Sequence, residues 1–254
     1  MKIKVMSFNL RVDGGEDGIN NFSNRGEKII RMIRSETPDL IGFQEATDRI
    51  KLFLREQLSD MYVILGAGRN RHYRGESVCL AYRRDLFELI SFETFWLSSE
   101  PAVPGSRYVG SDQSPFPRIA IHAELSPQEM DQTVHFFNTH LDHMGEQARM
   151  LGMTQIVQRE AFCRGGVILT GDMNAAPGSP EMSIATALAS RTFRDATSGI
   201  LQTFHNFGKL SGAYKIDYIF TDGKASGAYA VSDNPEDGIY LSDHYPVCTE
   251  IEFE

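Results

Sequence analysis

Short apolar runs that stop at an Asn, a Glu, a His or an Asp recur from one end of this chain to the other. Val5 to Phe8 stops at Asn9, and Leu40 to Phe43 stops at Gln44 and Glu45. Phe136 and Phe137 lead to Asn138 and His140, and Val167 to Leu169 leads to Asp172 and Asn174. Asp217 sits inside Ile216 to Phe220, and Asp243 and His244 precede the last apolar stretch. Runs this short suit buried strands. Strand ends are where a rigid scaffold presents polar groups to one crevice. The pattern predicts a strand-rich framework that carries its chemistry at strand ends.

The remaining periodicities fill in that framework. Lys2 to Phe8 alternates as a strand does. Ile29, Ile30, Met32 and Ile33 fall at helical spacing, and Pro38 closes that helix. Ser77 to Tyr82 reads as a strand. Ile119, Ile121, Ala123 and Leu125 alternate, and Thr133 to Phe137 pairs with them across a turn at Ser126 to Asp131. Glu146 to Phe162 predicts a long helix, and Val247, Thr249, Ile251 and Phe253 a last strand. Gly66 to Gly75 and Ser98 to Pro117 read as loops, the second long enough to serve as a lid. Strands resume with the same composition beyond both, so a single domain over residues 1–254 is expected.

Composition narrows the classes. The chain has 254 residues, 41% of them hydrophobic, enough to bury a large core without staples. Mean hydropathy is -0.28, and no stretch approaches ~18 consecutive apolar residues, so no membrane span is expected. The first residues read as a strand and not as a secretion signal. Cys79, Cys163 and Cys248 are odd in number and widely spaced, which makes neither a disulfide framework nor a cysteine zinc site. A cytoplasmic protein is expected. Lys and Arg total 25 against 34 Asp and Glu, a formal net charge of -9. That balance argues against wrapping long nucleic acid but leaves room for a phosphate substrate held locally by a metal.

Glu45, Asp172, Asp217 and Asp243 would bring four carboxylates to one pocket if the strand ends converge. Two such charges ~4 Å apart repel by about 4 kcal/mol at an effective dielectric of ~20. A cation relieves that, and hard oxygen ligands select Mg²⁺, Mn²⁺ or Ca²⁺ over zinc. Read singly, each of these residues has an ordinary structural role. Their order and spacing carry the weight.

Ser7-Phe8-Asn9, Phe43-Gln44-Glu45, Asn138-Thr139-His140, Gly171-Asp172-Met173-Asn174, Ile216-Asp217-Tyr218 and Ser242-Asp243-His244 together resemble the endonuclease/exonuclease/phosphatase superfamily, with its deoxyribonuclease I-like fold. The resemblance runs from Ser7 to Val247. It implies an α+β, four-layer α/β/β/α sandwich: two packed, mostly antiparallel β-sheets flanked by helices, with a Mg²⁺ site at one end. By that resemblance Glu45 is the main metal ligand, assisted by the Asn9 amide oxygen and by Asp243, with Mg²⁺ the expected ion and Mn²⁺ its substitute. Asp172 activates the attacking water with Asn174 as its partner. His140 stabilises the phosphoryl centre, and His244, held by Asp217, binds phosphate. Arg69 and Arg118 are the candidate substrate contacts, with Arg71, Arg74 and Tyr73 beside the first.

The sequence departs from the DNA-repair branch. Arg11 stands two residues after Asn9 where those enzymes carry an acid, the tyrosine they set against phosphate has no match, and no Arg- and Lys-rich insert occurs. The expectation is therefore a Mg²⁺-dependent phosphoesterase, monomeric by default. Its substrate is a small molecule or nucleotide rather than long DNA, a phosphodiester first and a phosphomonoester second. Two alternatives remain at this point. Asn138-Thr139-His140-Leu141-Asp142-His143 is one residue from the zinc signature of metallo-β-lactamase-like hydrolases, and the same scaffold could be a non-catalytic phosphate-binding module.

Overall fold

The computed structural model describes residues 1–187, 191–233 and 235–253. The chain runs β1 (Lys2–Asn9), α1 (Phe22–Glu36), β2 (Leu40–Ala46), α2 (Asp48–Leu58), β3 (Tyr62–Gly68), β4 (Ser77–Arg83), β5 (Phe87–Trp96), β6 (Ile119–Pro127), β7 (Val134–His140), α3 (Glu146–Glu160), β8 (Gly166–Asp172), α4 (Pro180–Ala187), β9 (Arg194–Asp195), β10 (Asp217–Thr221), β11 (Lys224–Ala230) and β12 (Val247–Glu252). Two sheets result, ordered β11-β12-β1-β2-β4-β3 and β5-β6-β7-β8-β10-β9. Each has one parallel pair at its centre, β1 with β2 and β7 with β8, and antiparallel pairs outward from it. A parallel pair needs a crossover, which a helix fills; here α1 joins β1 to β2 and α3 joins β7 to β8.

Three apolar clusters define the layers. Ile3, Val5, Leu80, Ile121, Phe136, Ile168 and Ile251 interdigitate between the sheets. Met6, Phe8, Ile41 and Phe43 meet α1 and α2 on one outer face, and Phe137, Leu169 and Phe220 meet α3 and α4 on the other. The expected four-layer sandwich is what forms. Among the described residues no helix is long and apolar enough to cross a membrane.

A polar bridge crosses the apolar interface. Asn138 is fully buried. Its Nδ2 donates to the Phe43 and Cys79 carbonyls at 2.8 and 2.7 Å, and its Oδ1 accepts from Gln44 Nε2 and Thr170 Oγ1. The sheets come so close here that a Cβ on Gly42 would lie 2.0 Å from Thr170 Oγ1. Asn138→Leu would orphan several of these groups, each costing ~1–3 kcal/mol when buried. A loss of at least ~3 kcal/mol in urea unfolding is expected; an unchanged midpoint would mean that the bridge contributes nothing.

Some elements lack a readable pattern. β5 and β11 are largely exposed along their length and pair mainly through backbone, so apolar alternation does not announce them. The stretch expected to be loop from Gly66 is strand as far as Gly68, paired to Ser77; at Gly66 a Cβ would sit 2.4 Å from Cys79 Sγ. α2 also escaped the reading, although Ile50, Leu54 and Leu58 form its buried stripe and Thr47 caps it.

Candidate active site

Strand register builds half of the site. β7 and β8 align His140 with Asp172, and β8 and β10 align Asp172 with Asp217, so three polar side chains stand abreast on neighbouring strands. In the other sheet Asn9 ends β1 beside Gln44. Glu45 follows, and a bulge there, where the β2–β4 register shifts between Phe43 and Ala46, re-aims its side chain. Its φ of 59° is left-handed, as are those of Arg11 and Asn174 at 55° and 48°; such strain in non-glycine residues gathers at functional sites. The turn before β12 brings in Asp243 and His244, and Ser242 Oγ ties it down by donating to the Asn9 carbonyl at 2.7 Å.

These groups meet. Asn9 Nδ2 donates to Glu45 Oε1 at 3.2 Å and to Asp172 Oδ2 at 2.9 Å, while its Oδ1 accepts the Arg11 N–H. The Asn174 N–H donates to Asp172 Oδ1 at 2.9 Å, and its side-chain amide donates to the Leu141 carbonyl. His140 Nε2 and His244 Nε2 lie 3.6 and 3.8 Å from Asp172 Oδ2. His244 Nδ1 lies 2.9 Å from Asp217 Oδ2. Glu45, Asp172, Asp243, His140 and His244 all line one cleft of about 400 Å³.

Burial and charge set the protonation states. Burial alone would lower the His244 pKa, but the Asp217 carboxylate outweighs it and raises it to about 10, so His244 is a cation at neutral pH. His140 goes the other way: burial and the Arg118 and Arg69 guanidiniums hold it well below its ordinary value. It is a neutral donor or acceptor, and the positive groups beside it are the two arginines. Burial and the adjacent Asp217 push Asp172 up from the ordinary carboxylate range, and burial raises Asp243. Buried carboxylates held above their usual range fit a hard divalent cation. So does Asp217 Oδ1, which is buried without a hydrogen-bond partner among the described residues. Glu45 and Asp243, with Asn9 beside them, would hold such an ion by oxygen.

Arg69 and Arg118 are buried and line the same cleft. Arg69 Nη2 pairs with Glu76 at 2.7 Å, and its guanidinium lies 4.9 Å from the Phe116 ring. Arg118 Nε is 3.4 Å from Asp142 Oδ2, and its Nη2 is 2.9 Å from His143 Nδ1. Arg71, Arg74 and Tyr73 stay at the exposed loop tip. Asp142 also accepts from Ser114 Oγ and from the Ser114, Met144 and Gly145 amides. It thereby pins the Ser98–Pro117 loop in place, with Phe116 at the cleft rim. Sequence reasoning missed Phe116 and Phe204 as cleft residues because no local pattern marks them, and it met His143 only in the comparison with the zinc signature. Arg11 was noticed only as a departure; its Nε lies 3.9 Å from Asp243 Oδ2.

The fold and the site together define a phosphoesterase-like sandwich. The chain belongs to the endonuclease/exonuclease/phosphatase family, whose model matches residues 6–244. It is 28% identical to an endonuclease/exonuclease/phosphatase from Bacteroides vulgatus, with all of both chains covered and a TM-score of 0.90. It is 26% identical to a mannosyl-6-phosphatase of Bacteroides thetaiotaomicron, over 99% of this chain and 100% of that one, with a TM-score of 0.85. An uncharacterized protein, L388, of Acanthamoeba polyphaga mimivirus is 24% identical over 225 residues, 80% of each chain. Members of this family typically act on phosphoesters as hydrolases. The family overturns the metallo-β-lactamase alternative, and the geometry says why. Asn138 bonds backbone carbonyls in the core, and Asp142 and His143 both engage the Arg118 guanidinium, so the donors of that motif are committed elsewhere.

Proposed function

We propose that this chain hydrolyses a phosphate monoester on a small molecule, assisted by Mg²⁺ or Mn²⁺ at Glu45 and Asp243. The observation that carries this reading is the pair of buried arginines that share the cleft with the carboxylates. Arg69 Nε and Arg118 Nη1 are buried without hydrogen-bond partners among the described residues. A dianionic monoester brings one more charge and one more terminal oxygen than a diester, and planar guanidiniums suit such oxygens. The similarity to a mannosyl-6-phosphatase supports the same choice. It reverses the order expected from sequence, where the diester came first. A cleft of about 400 Å³ suits a small molecule.

The bound cation would supply Lewis-acid stabilisation of the phosphoryl charge. Asp172, oriented by Asn9 and the Asn174 N–H, takes a proton from water. The water oxygen bonds to phosphorus as the ester P–O bond breaks, and the leaving alkoxide takes a proton from solvent. Cationic His244, fixed by Asp217, holds a phosphoryl oxygen as charge builds there. Neutral His140, its Nε2 3.6 Å from Asp172 Oδ2, donates a hydrogen bond to the phosphoryl group.

A hydrolysis screen over sugar phosphates, nucleotides, inositol phosphates, phospholipids, DNA and RNA tests the reading. Monoesters are expected to turn over fastest, with chelator abolishing and Mg²⁺ restoring activity. Mg²⁺ at ~100 times its dissociation constant should add about 2.7 kcal/mol of stability, and Glu45→Gln should weaken that response. Faster diester cleavage would reverse the substrate class. Mg²⁺ binding with no turnover of any ester would leave the non-catalytic module.

A further inference from the structure

On the outer face of the second sheet, beside the C-terminal end of α3, lies a second group of donor atoms. One ring nitrogen each of His122 and His135 and the Cys163 sulfur all lie within 4.8 Å of one another. His122 on β6 presents Nε2 to Nδ1 of His135 on β7, 3.0 Å away. Cys163 follows α3 and is buried. The cleft histidine His140 stands five residues further along β7, roughly 16 Å at ~3.3 Å per residue. The group therefore lies away from the catalytic cleft.

Both rings have their outer nitrogens engaged as metal-ligating imidazoles do. His135 Nε2 is 2.9 Å from the Arg164 carbonyl, which makes Nε2 the protonated nitrogen and leaves a lone pair on Nδ1. His122 Nδ1 lies 3.6 Å from Glu93 Oε1, and stacking on Phe137 at 4.1 Å holds its ring. Neighbouring ligands around a tetrahedral zinc with ~2.0 Å bonds sit ~3.3 Å apart, close to the spacing of the two imidazole nitrogens. Burial holds His135 below its ordinary pKa, so it is neutral and able to coordinate.

We propose that His122, His135 and Cys163 bind a zinc ion through Nε2, Nδ1 and Sγ, with water in the fourth position. Binding releases the thiol proton to solvent, and the proton on His122 Nε2 shifts to Nδ1, the nitrogen facing Glu93, which leaves the Nε2 lone pair free for the metal. The ion ties the segment after α3 to β6 and β7. Its nitrogen and sulfur donors distinguish it from the oxygen-rich cleft.

The test is a titration of chelator-stripped protein with Co²⁺ and then Zn²⁺ in excess Mg²⁺. One equivalent of cobalt is expected to produce a thiolate-to-cobalt charge-transfer band, which zinc abolishes. Cys79 on β4 and Cys248 on β12 belong to the other sheet, so the band reports Cys163. Cys163→Ser should lose the band. His122→Gln, at a partly exposed position that a folded protein tolerates, should weaken zinc binding at least ~10-fold. Cobalt held only by the oxygen and imidazole donors of the catalytic cleft would show no thiolate band. That spectrum from the folded wild-type protein overturns the proposal, as does a band surviving in Cys163→Ser or unchanged zinc affinity in His122→Gln.

Discussion

Asp172→Asn is expected to fold and to hydrolyse phosphate esters at least ~10²-fold more slowly, the range for losing a general base. Asp172 is held from three directions, by Asn9, by the Asn174 N–H and by the two histidines within 3.8 Å. An isosteric amide keeps the size of the side chain, removes the proton acceptor, and sets its NH2 against one of the two donors, Asn9 Nδ2 or the Asn174 N–H. Burial beside Asp217 disfavours the charged carboxylate, which offsets that mismatch, so without metal the variant should melt close to the wild type. Steady-state rates and melting curves on the same preparation separate chemistry from folding. Wild-type turnover would remove Asp172 from the mechanism.

Asp217→Asn should have an effect of similar size through a different atom. Without that carboxylate the largest offset to the burial of His244 is gone, only the charges of Asp243 and Asp172 remain, and the imidazole holds its proton far more weakly near neutral pH. The rate is expected to fall about 10²-fold, as when a positioned proton-bearing group is lost. Stability carries a pH signature as well. Folding raises the His244 pKa from 6.5 to about 10, so the folded state binds that proton more tightly than the unfolded chain does. Its contribution is therefore complete below pH ~6.5 and lost as pH rises through about 10. In metal-free urea unfolding, the advantage of wild type over Asp217→Asn should be largest near pH 6.5 and shrink toward pH 10. An advantage that grows over this range would show that Asp217 does not hold the His244 proton.

Most of the site's residue types were legible because they border an apolar run, where a strand begins or ends. Asn9, Glu45, His140 and Asp172 follow such a run and Asp243 precedes one; the last four line one cleft, and Asn9 bonds to two of them. Arg69 was less legible. In the sequence it belongs to an arginine-rich loop with Arg71 and Arg74, and nothing local separates the three. In the structure Arg69 is 7% exposed because β3 continues through Gly68 and carries it inward, while the other two remain in solvent. His140 shows the same limit for charge. Its position was readable, but its neutrality depends on burial in the fold and on Arg118 and Arg69, which are distant in the chain.

By itself the sequence determined the two kinds of layer, the strands with a buried face, and the polar groups that end them. Alternation and helical spacing record which side of an element meets the core, and that is a property of neighbours along the chain. Only the tertiary structure decided the bulge that turns Glu45 into the cleft, the Asn138 bridge between the sheets, the edge strands β5 and β11, and the protonation of the two cleft histidines. Register, dielectric and charge at a point in space depend on which distant segments arrive there, and no local period encodes that.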